Sequence, residues 1–120
     1  MSVSLNRVGR LDPPESQLLT TSSATTIVTA SSVESRVVEQ VILVNINGTD
    51  RIVLLEWLDA TPTSYKYWRD TVPANDTVIV EIPILLQGGG KARSVKATAA
   101  NANDIWVTVI SSVQTKQAQT

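Results

Sequence analysis

The stretch Arg36-Val-Val-Glu-Gln-Val-Ile-Leu-Val-Asn-Ile-Asn-Gly-Thr-Asp-Arg-Ile-Val-Leu-Leu-Glu-Trp-Leu-Asp59 decides the fold. Two apolar, β-branched runs flank Asn47-Gly48-Thr49-Asp50. Such runs favour strands, and Asn-Gly tolerates the positive φ of tight hairpin turns. The stretch therefore predicts a long antiparallel hairpin. In the first run Val38, Ile42, Val44 and Ile46 share one face, opposite Glu39, Val41, Leu43, Asn45 and Asn47. In the second, Val53, Leu55 and Trp57 oppose Ile52, Leu54 and Leu58. Both faces are largely apolar, and a two-stranded ribbon cannot bury both alone. Further strands must cover it.

Those strands are legible on either side. Upstream, segments near 18–22 and 25–31 are rich in Thr, Ser, Ile and Val. Downstream, Ala60-Thr-Pro-Thr63 is a loop and Ser64–Asp70 alternates as a short strand, with Tyr65 and Tyr67 on one face and Lys66 and Trp68 on the other. Val72-Pro-Ala-Asn-Asp76 is a turn, and 77–86 a strand. Pro83 has no amide donor, so it belongs at a sheet edge or a strand exit. Strands near Val95 and over 104–113 complete the set, the last with Ile105, Val107 and Val109 inward. No window carries a 3.6-residue period of helical length. About eight short strands with turn signals every 8 to 12 residues predict an all-β chain, a single antiparallel β-sandwich of jelly-roll or immunoglobulin-like type.

The organisation expected is an extended N-terminal arm (1–16), a sandwich domain (17–114) and a polar tail (115–120). Pro13-Pro14 stiffens the exit of the arm. Val3, Leu5, Val8 and Leu11 are apolar anchors, and Arg7 and Arg10 add positive charge suited to an acidic partner groove. The expectation is that these six residues bind a partner surface, leaving their own sandwich.

Composition narrows the chemistry. The 120 residues hold 10 basic and 11 acidic groups, a net charge of −1, which gives no electrostatic footprint for nucleic acid or an anionic membrane. No apolar run reaches membrane-spanning length, and the N-terminal residues lack an apolar signal core, so synthesis in the cytoplasm is expected. Cys and His are both absent, which removes disulfides, Cys-His and Ser-His nucleophiles and most zinc and copper sites. The carboxylates Asp50, Glu56, Asp59, Asp70, Asp76, Glu81 and Asp104 could in principle supply a hydrolase pair, but strand-end acids usually solvate turns. Gly88-Gly89-Gly90-Lys91 lacks the glycine spacing and following Ser/Thr of a phosphate loop, and reads as a turn. No catalytic residue, metal ligand or cofactor is assigned. Trp57 and Trp106 are expected in the core of this Phe-free chain. Tyr65, Tyr67 and Trp68, on a short charged strand, form a candidate surface aromatic patch, for which a glycan would be the ligand.

Residues 77 to 113 carry a further pattern: Ile84-Leu-Leu-Gln-Gly-Gly-Gly90, then Val95-Lys-Ala-Thr-Ala-Ala100, then Ile105-Trp-Val-Thr-Val-Ile110. This resembles the small β-sandwich virion proteins of tailed bacteriophages, which include head decoration (cement) proteins and neck or tail components. The resemblance implies a non-enzymatic virion protein made in the host cytoplasm. It would assemble as a homo-oligomer, a trimer by analogy, on the major capsid protein or other virion proteins. A carbohydrate-binding module is the alternative of another class. No functional residue carries over, because such proteins act through whole surfaces.

Overall fold

The computed structural model describes residues 10–88 and 92–114. Ten strands run β1 (Arg10–Leu11), β2 (Glu15–Leu18), β3 (Thr25–Thr29), β4 (Ser35–Asn45), β5 (Arg51–Leu58), β6 (Ser64–Val72), β7 (Thr77–Val80), β8 (Ile84–Gln87), β9 (Ser94–Ala99) and β10 (Ile105–Gln114). All their pairings are antiparallel. The first sheet has the order β1-β10-β4-β7, with β2 also on β10 and β8 also on β4; the second is β3-β9-β5-β6.

Prolines explain the split edges. Asp12-Pro13-Pro14 separates β1 from β2 along one free side of β10, and Glu81-Ile82-Pro83 separates β7 from β8 along the outer side of β4. A residue without an N–H cannot continue a ladder, and both breaks fall at sheet edges. Counting each interrupted edge as one strand leaves eight, ordered 1-8-3-6 and 2-7-4-5. That is the jelly-roll arrangement, so the sandwich expected from the sequence is present and is of the jelly-roll kind.

The hairpin reading of 36–59 is corrected. β4 and β5 lie in different sheets and do not pair. Asn47-Gly48-Thr49-Asp50 is an arch between the layers, and no described glycine has a positive φ. Side-chain amides build the arch. Buried Asn45 donates from Nδ2 to the carbonyls of Thr49 (2.9 Å) and Val72 (3.0 Å), and accepts the Asn47 amide at Oδ1 (2.9 Å). The Thr49 amide donates to Asn47 Oδ1 at 2.9 Å. Asn competes with a backbone turn by such local bonds. Each run is instead central in its own sheet, β4 between β10 and β7/β8, β5 between β9 and β6.

The core lies between the sheets, with Leu43, Val53, Leu55, Val72, Leu86, Val95, Ala97, Ala99 and Ile105 at 0% exposure. A bulge at Glu39 corrects the face assignment of β4: Gln40 pairs Ile110 but Val38 pairs Ser111. The extra residue puts Val38 on the inner face with Val41 and Leu43, away from Ile42 and Val44. A second bulge at Tyr67 does the same in β6, where Leu55 pairs Trp68 but Glu56 pairs Lys66. Trp68 thereby turns inward and leaves the face of Lys66.

The upstream boundary also moves. The strand expected near 18–22 is β2, Glu15–Leu18, because Leu19 is buried and its amide bonds the Ile105 carbonyl at 2.9 Å. Residues 10–18 thus form an edge of the molecule's own first sheet, where the sequence suggested an arm ending at 16. Residues 1–9 and 115–120, with the expectations placed on them, lie outside the described residues.

Candidate interaction surface

The two sheets differ sharply on their outer faces. On the second sheet the cross-strand rows read Lys96–Glu56–Lys66, then Thr98–Leu54–Arg69, then Ile52–Thr71. Lys96 Nζ lies 3.9 Å from Glu56 Oε1. This face is largely charged and polar.

On the first sheet the rows read Leu18–Trp106–Val44–Thr77, then Ser16–Thr108–Ile42–Ile79, then Ile110–Gln40, then Leu11–Ser112–Val37–Leu85. No Lys or Arg stands in them. Trp106, Ile79, Leu85 and Leu11 are 41%, 52%, 50% and 63% exposed. Four lanes spaced about 4.8 Å and seven residues of about 3.3 Å give a face of roughly 440 Å². Nine of its fourteen row positions are apolar and five polar, and the largest apolar patch of a monomer is often functional. An antiparallel sheet with one wetted face normally alternates apolar-in and polar-out. β4 breaks that rule on this side with Val37, Ile42 and Val44, while β10 sets Thr108 and Ser112 among Trp106 and Ile110.

A groove of about 500 Å³ opens within this face where the Glu39 bulge meets the break at Glu81–Pro83. Leu11, Val37, Pro83 and Ile110 supply its apolar lining, and Glu39, Gln40 and Glu81 its polar part. Gln40 Nε2 donates to Glu81 Oε2 at 2.9 Å.

The buried charges serve the scaffold. The Arg36 guanidinium donates to Asp12 Oδ2 (2.7 Å), Ser111 Oγ (2.9 Å) and Glu34 Oε1 (3.2 Å). Burial alone would lower its pKa, but the bonds to Glu34 and Asp12 outweigh that and hold it above the ordinary value. This cluster ties the entry of the chain to β4 and β10. Arg51 Nε donates to Asp104 Oδ2 at 2.7 Å, and Asn47 Nδ2 to Asp104 Oδ1 at 3.2 Å, closing the opposite end. Asp59 Oδ1 accepts from the Thr61 hydroxyl (2.6 Å) and from the amides of Thr61 (2.9 Å) and Thr63 (2.8 Å), and the Thr61 hydroxyl leads in holding its pKa low. These acids are spread over turns and staples. Among the described residues no group of three or more His, Cys, Asp or Glu could hold a metal.

The aromatic residues sit differently from the sequence reading. Trp106 is corrected from core to surface: inward Ile105 and Val107 flank it, so it must point outward. Trp57 is half-buried against the core and stacks on Tyr65, with centroids 4.3 Å apart at 25°. Tyr65 is exposed, and its hydroxyl donates to Asp59 Oδ2 at 3.2 Å. Tyr67 and Trp68 pack against the core. Burial pushes the Tyr67 phenol up to about 12, and among the described residues its Oη has no hydrogen-bond partner. The three residues of the aromatic patch thus do not present one flat outer platform.

Of the six arm residues, Leu11 is exposed on the apolar face, and Arg10 pairs with Val113 through the backbone. Val3, Leu5, Arg7 and Val8 fall outside the described residues. Sequence reasoning missed Ile79 and Leu85. The available signal was an apolar residue at both parities of an edge segment bearing a proline.

No family model matches the chain, and no curated protein matches it. Among solved structures, it superposes on a chain from the Bacillus endospore appendages, described as a family of disulfide-linked pili, with TM-score 0.57, 12% identity and 96% of each chain covered. A chain of infectious bursal disease virus, Gx strain, gives TM-score 0.42 and 10% identity over 88% of this chain and 32% of that one. The CBM22-1–GH10 modules of a Clostridium thermocellum xylanase give 0.35 and 15% over 81% and 20%. The first of these is a likeness of fold over the whole length.

Proposed function

We propose that this chain is a non-enzymatic structural protein of a bacteriophage virion, a head decoration subunit that binds and stabilises the capsid shell as a homo-oligomer, a trimer by analogy. The observation that carries the reading is the contrast between the two outer faces. A charged face is built for water, while on the face around Trp106, Val44, Ile42 and Ile79 nine of the fourteen row positions are apolar and none is Lys or Arg. Covering it with capsid protein or another subunit removes that apolar area from water. A ligand that binds only the assembled shell stabilises the shell by mass action. The bacteriophage assignment rests on the sequence resemblance over 77–113.

Co-sedimentation with the phage heads tests this. The native chain should pellet with heads, and Ile79→Lys with Trp106→Ser should stay in the supernatant. Heads that bind both proteins equally would sink the reading.

A neck or tail subunit is the second reading, favoured by the whole-length fold likeness to a protein that builds pili. With no Cys, any such fibre would be held without disulfides. Locating the subunit in virion images separates the two.

A further inference from the structure

The outer face of the first sheet carries a knob towards one end and a hole towards the other. The knob is Trp106, 41% exposed and flanked in its row by the smaller Leu18 and Val44. The hole is the groove of about 500 Å³ beside Ile110. It opens where the outer ladder of β4 has no pairing between Val41–Val80 and Val38–Ile84, at the Glu39 bulge and the proline break. Leu11, Val37, Pro83 and Ile110 make its lining apolar, and Glu39 and Glu81 add carboxylates. An indole suits that lining. Its rings are apolar, and its N–H, which needs an acceptor when buried, finds one there.

The ring that enters cannot be the chain's own. Trp106 and Ile110 stand four residues apart on one strand, about 13 Å. Side chains stand roughly perpendicular to their sheet, so Trp106 points away from the face and not along it. A second copy facing the first reaches the groove directly. Consider two copies face to face with strands reversed, about a two-fold axis that lies between the sheets and crosses the strands near Thr108 and Ile42. Each copy then sets its Trp106 over the groove of the other. Both knobs and both holes are used, as a self-complementary contact requires. Ile42 and Ile79, in the row of Thr108, meet their own counterparts near the axis. Area argues the same way. Two flat faces of roughly 440 Å² bury about 900 Å² together, short of the ~1,200 Å² at which stable interfaces begin. Two rings sunk into grooves supply the contact that flat packing lacks.

We propose that the first sheets of two copies pack face to face, with Trp106 of each seated in the groove of the other. The ring lies against Val37 and Ile110, and its N–H donates to Glu39 or Glu81. The proposal rests on the reading of this face as the assembly surface. It gives that contact two-fold symmetry, so the unit is a dimer where the phage analogy gives a trimer.

Plugging the groove in the full-length chain tests it. Ile110→Trp makes the face more apolar but fills the hole from within. Sedimentation velocity over a concentration series should show the parent forming a dimer of about 26 kDa, twice 13.0 kDa, and Ile110→Trp associating about ten-fold more weakly. A merely apolar face would associate as tightly or more so after that change, and this result overturns the proposal. A photoreactive aromatic side chain in place of Trp106, in a mixture of isotope-labelled and unlabelled chains, should crosslink between chains to peptides holding Val37, Pro83 or Ile110. Crosslinks confined to one chain, or none to those peptides, overturn it too. A trimer, or a parent that stays monomeric yet binds heads, overturns this proposal and leaves the capsid-binding reading in place. A parent that neither self-associates nor binds heads overturns both.

Discussion

Trp106 stands directly beside Val44 across the β10–β4 ladder, and both side chains lie on the outer face of the first sheet. A cross-strand aromatic–aliphatic pair is a stabilising unit when covered. Here it is 41% exposed at Trp106. Trp is among the residue types enriched at the energetic anchors of interfaces. Trp106→Ser should therefore change unfolding free energy by less than about 1 kcal/mol while weakening assembly. Trp57→Ala should cost more, about 1–3 kcal/mol, because the ring stacks on Tyr65 and packs against the core. Urea denaturation of the two variants ranks them.

Arg36 holds the chain entry in place, so its removal should loosen that entry first. Arg36→Met removes the guanidinium that Asp12 and Glu34, 12% and 24% exposed, share. Stripping one partner from a well-buried pair costs about 3–5 kcal/mol; this partly wetted cluster should lose about 2–4 kcal/mol. The Asp12 amide, bonded to the Ser111 carbonyl at 2.9 Å, should exchange its hydrogen faster than the amides of β5. Equal protection in variant and parent would show that the cluster does not anchor this edge.

Tyr67 sets an alkaline limit. Its phenol is raised from 10.0 to about 12 by burial. The folded state therefore binds this proton more tightly than the unfolded state. The associated stability is complete below the unfolded value near 10 and is lost as pH rises toward about 12. Two units correspond to about 3 kcal/mol at most. Tyr67→Phe should flatten stability across this window. It also removes an unpartnered buried hydroxyl, so the variant should be as stable as the parent or more so at neutral pH. Parallel denaturation series at pH 8 and 11 give the comparison.

Gly88 and Gly48 should respond oppositely to Ala. A Cβ at Gly88 would run into the Ser31 carbonyl oxygen and the Ser32 Cα. Relieving that overlap means moving backbone, at about 1–3 kcal/mol. At Gly48 nothing lies within 4 Å and φ is not positive. Gly48→Ala should fall within about 0.5 kcal/mol of the parent. A large loss at Gly48 would favour the tight hairpin turn over the arch.

Much of this fold can be read from residue alternation, because inward Val53, Leu55, Ile105, Val107 and Val109 follow strict period-two spacing. Pro83 announced its edge, since a missing N–H is a local fact. What was illegible depended on partners distant in sequence. Asn47-Gly48 suits a hairpin and an arch alike, and bonds from Asn45 to Thr49 and Val72 decide between them. The bulges at Glu39 and Tyr67 are register choices made against β10 and β5, so Val38 and Trp68 were placed on the wrong faces. For the candidate surface, the twofold apolarity of β4 was visible, but not which side would lack a cover. Trp106 was assigned to the core because a Phe-free chain needs bulk there; Leu43, Leu55, Leu86 and Ile105 supply it instead.

The claim that the outer face of the first sheet is the assembly surface is tested most directly by one charge placed on each face. Ile79→Lys sits among the apolar rows, and Thr98→Lys on the polar face of the second sheet. Sedimentation velocity of parent and variants should show the parent and Thr98→Lys self-associating alike, and Ile79→Lys remaining a 13.0 kDa monomer at the same concentrations. An Ile79→Lys protein that assembles as the parent does would contradict the account.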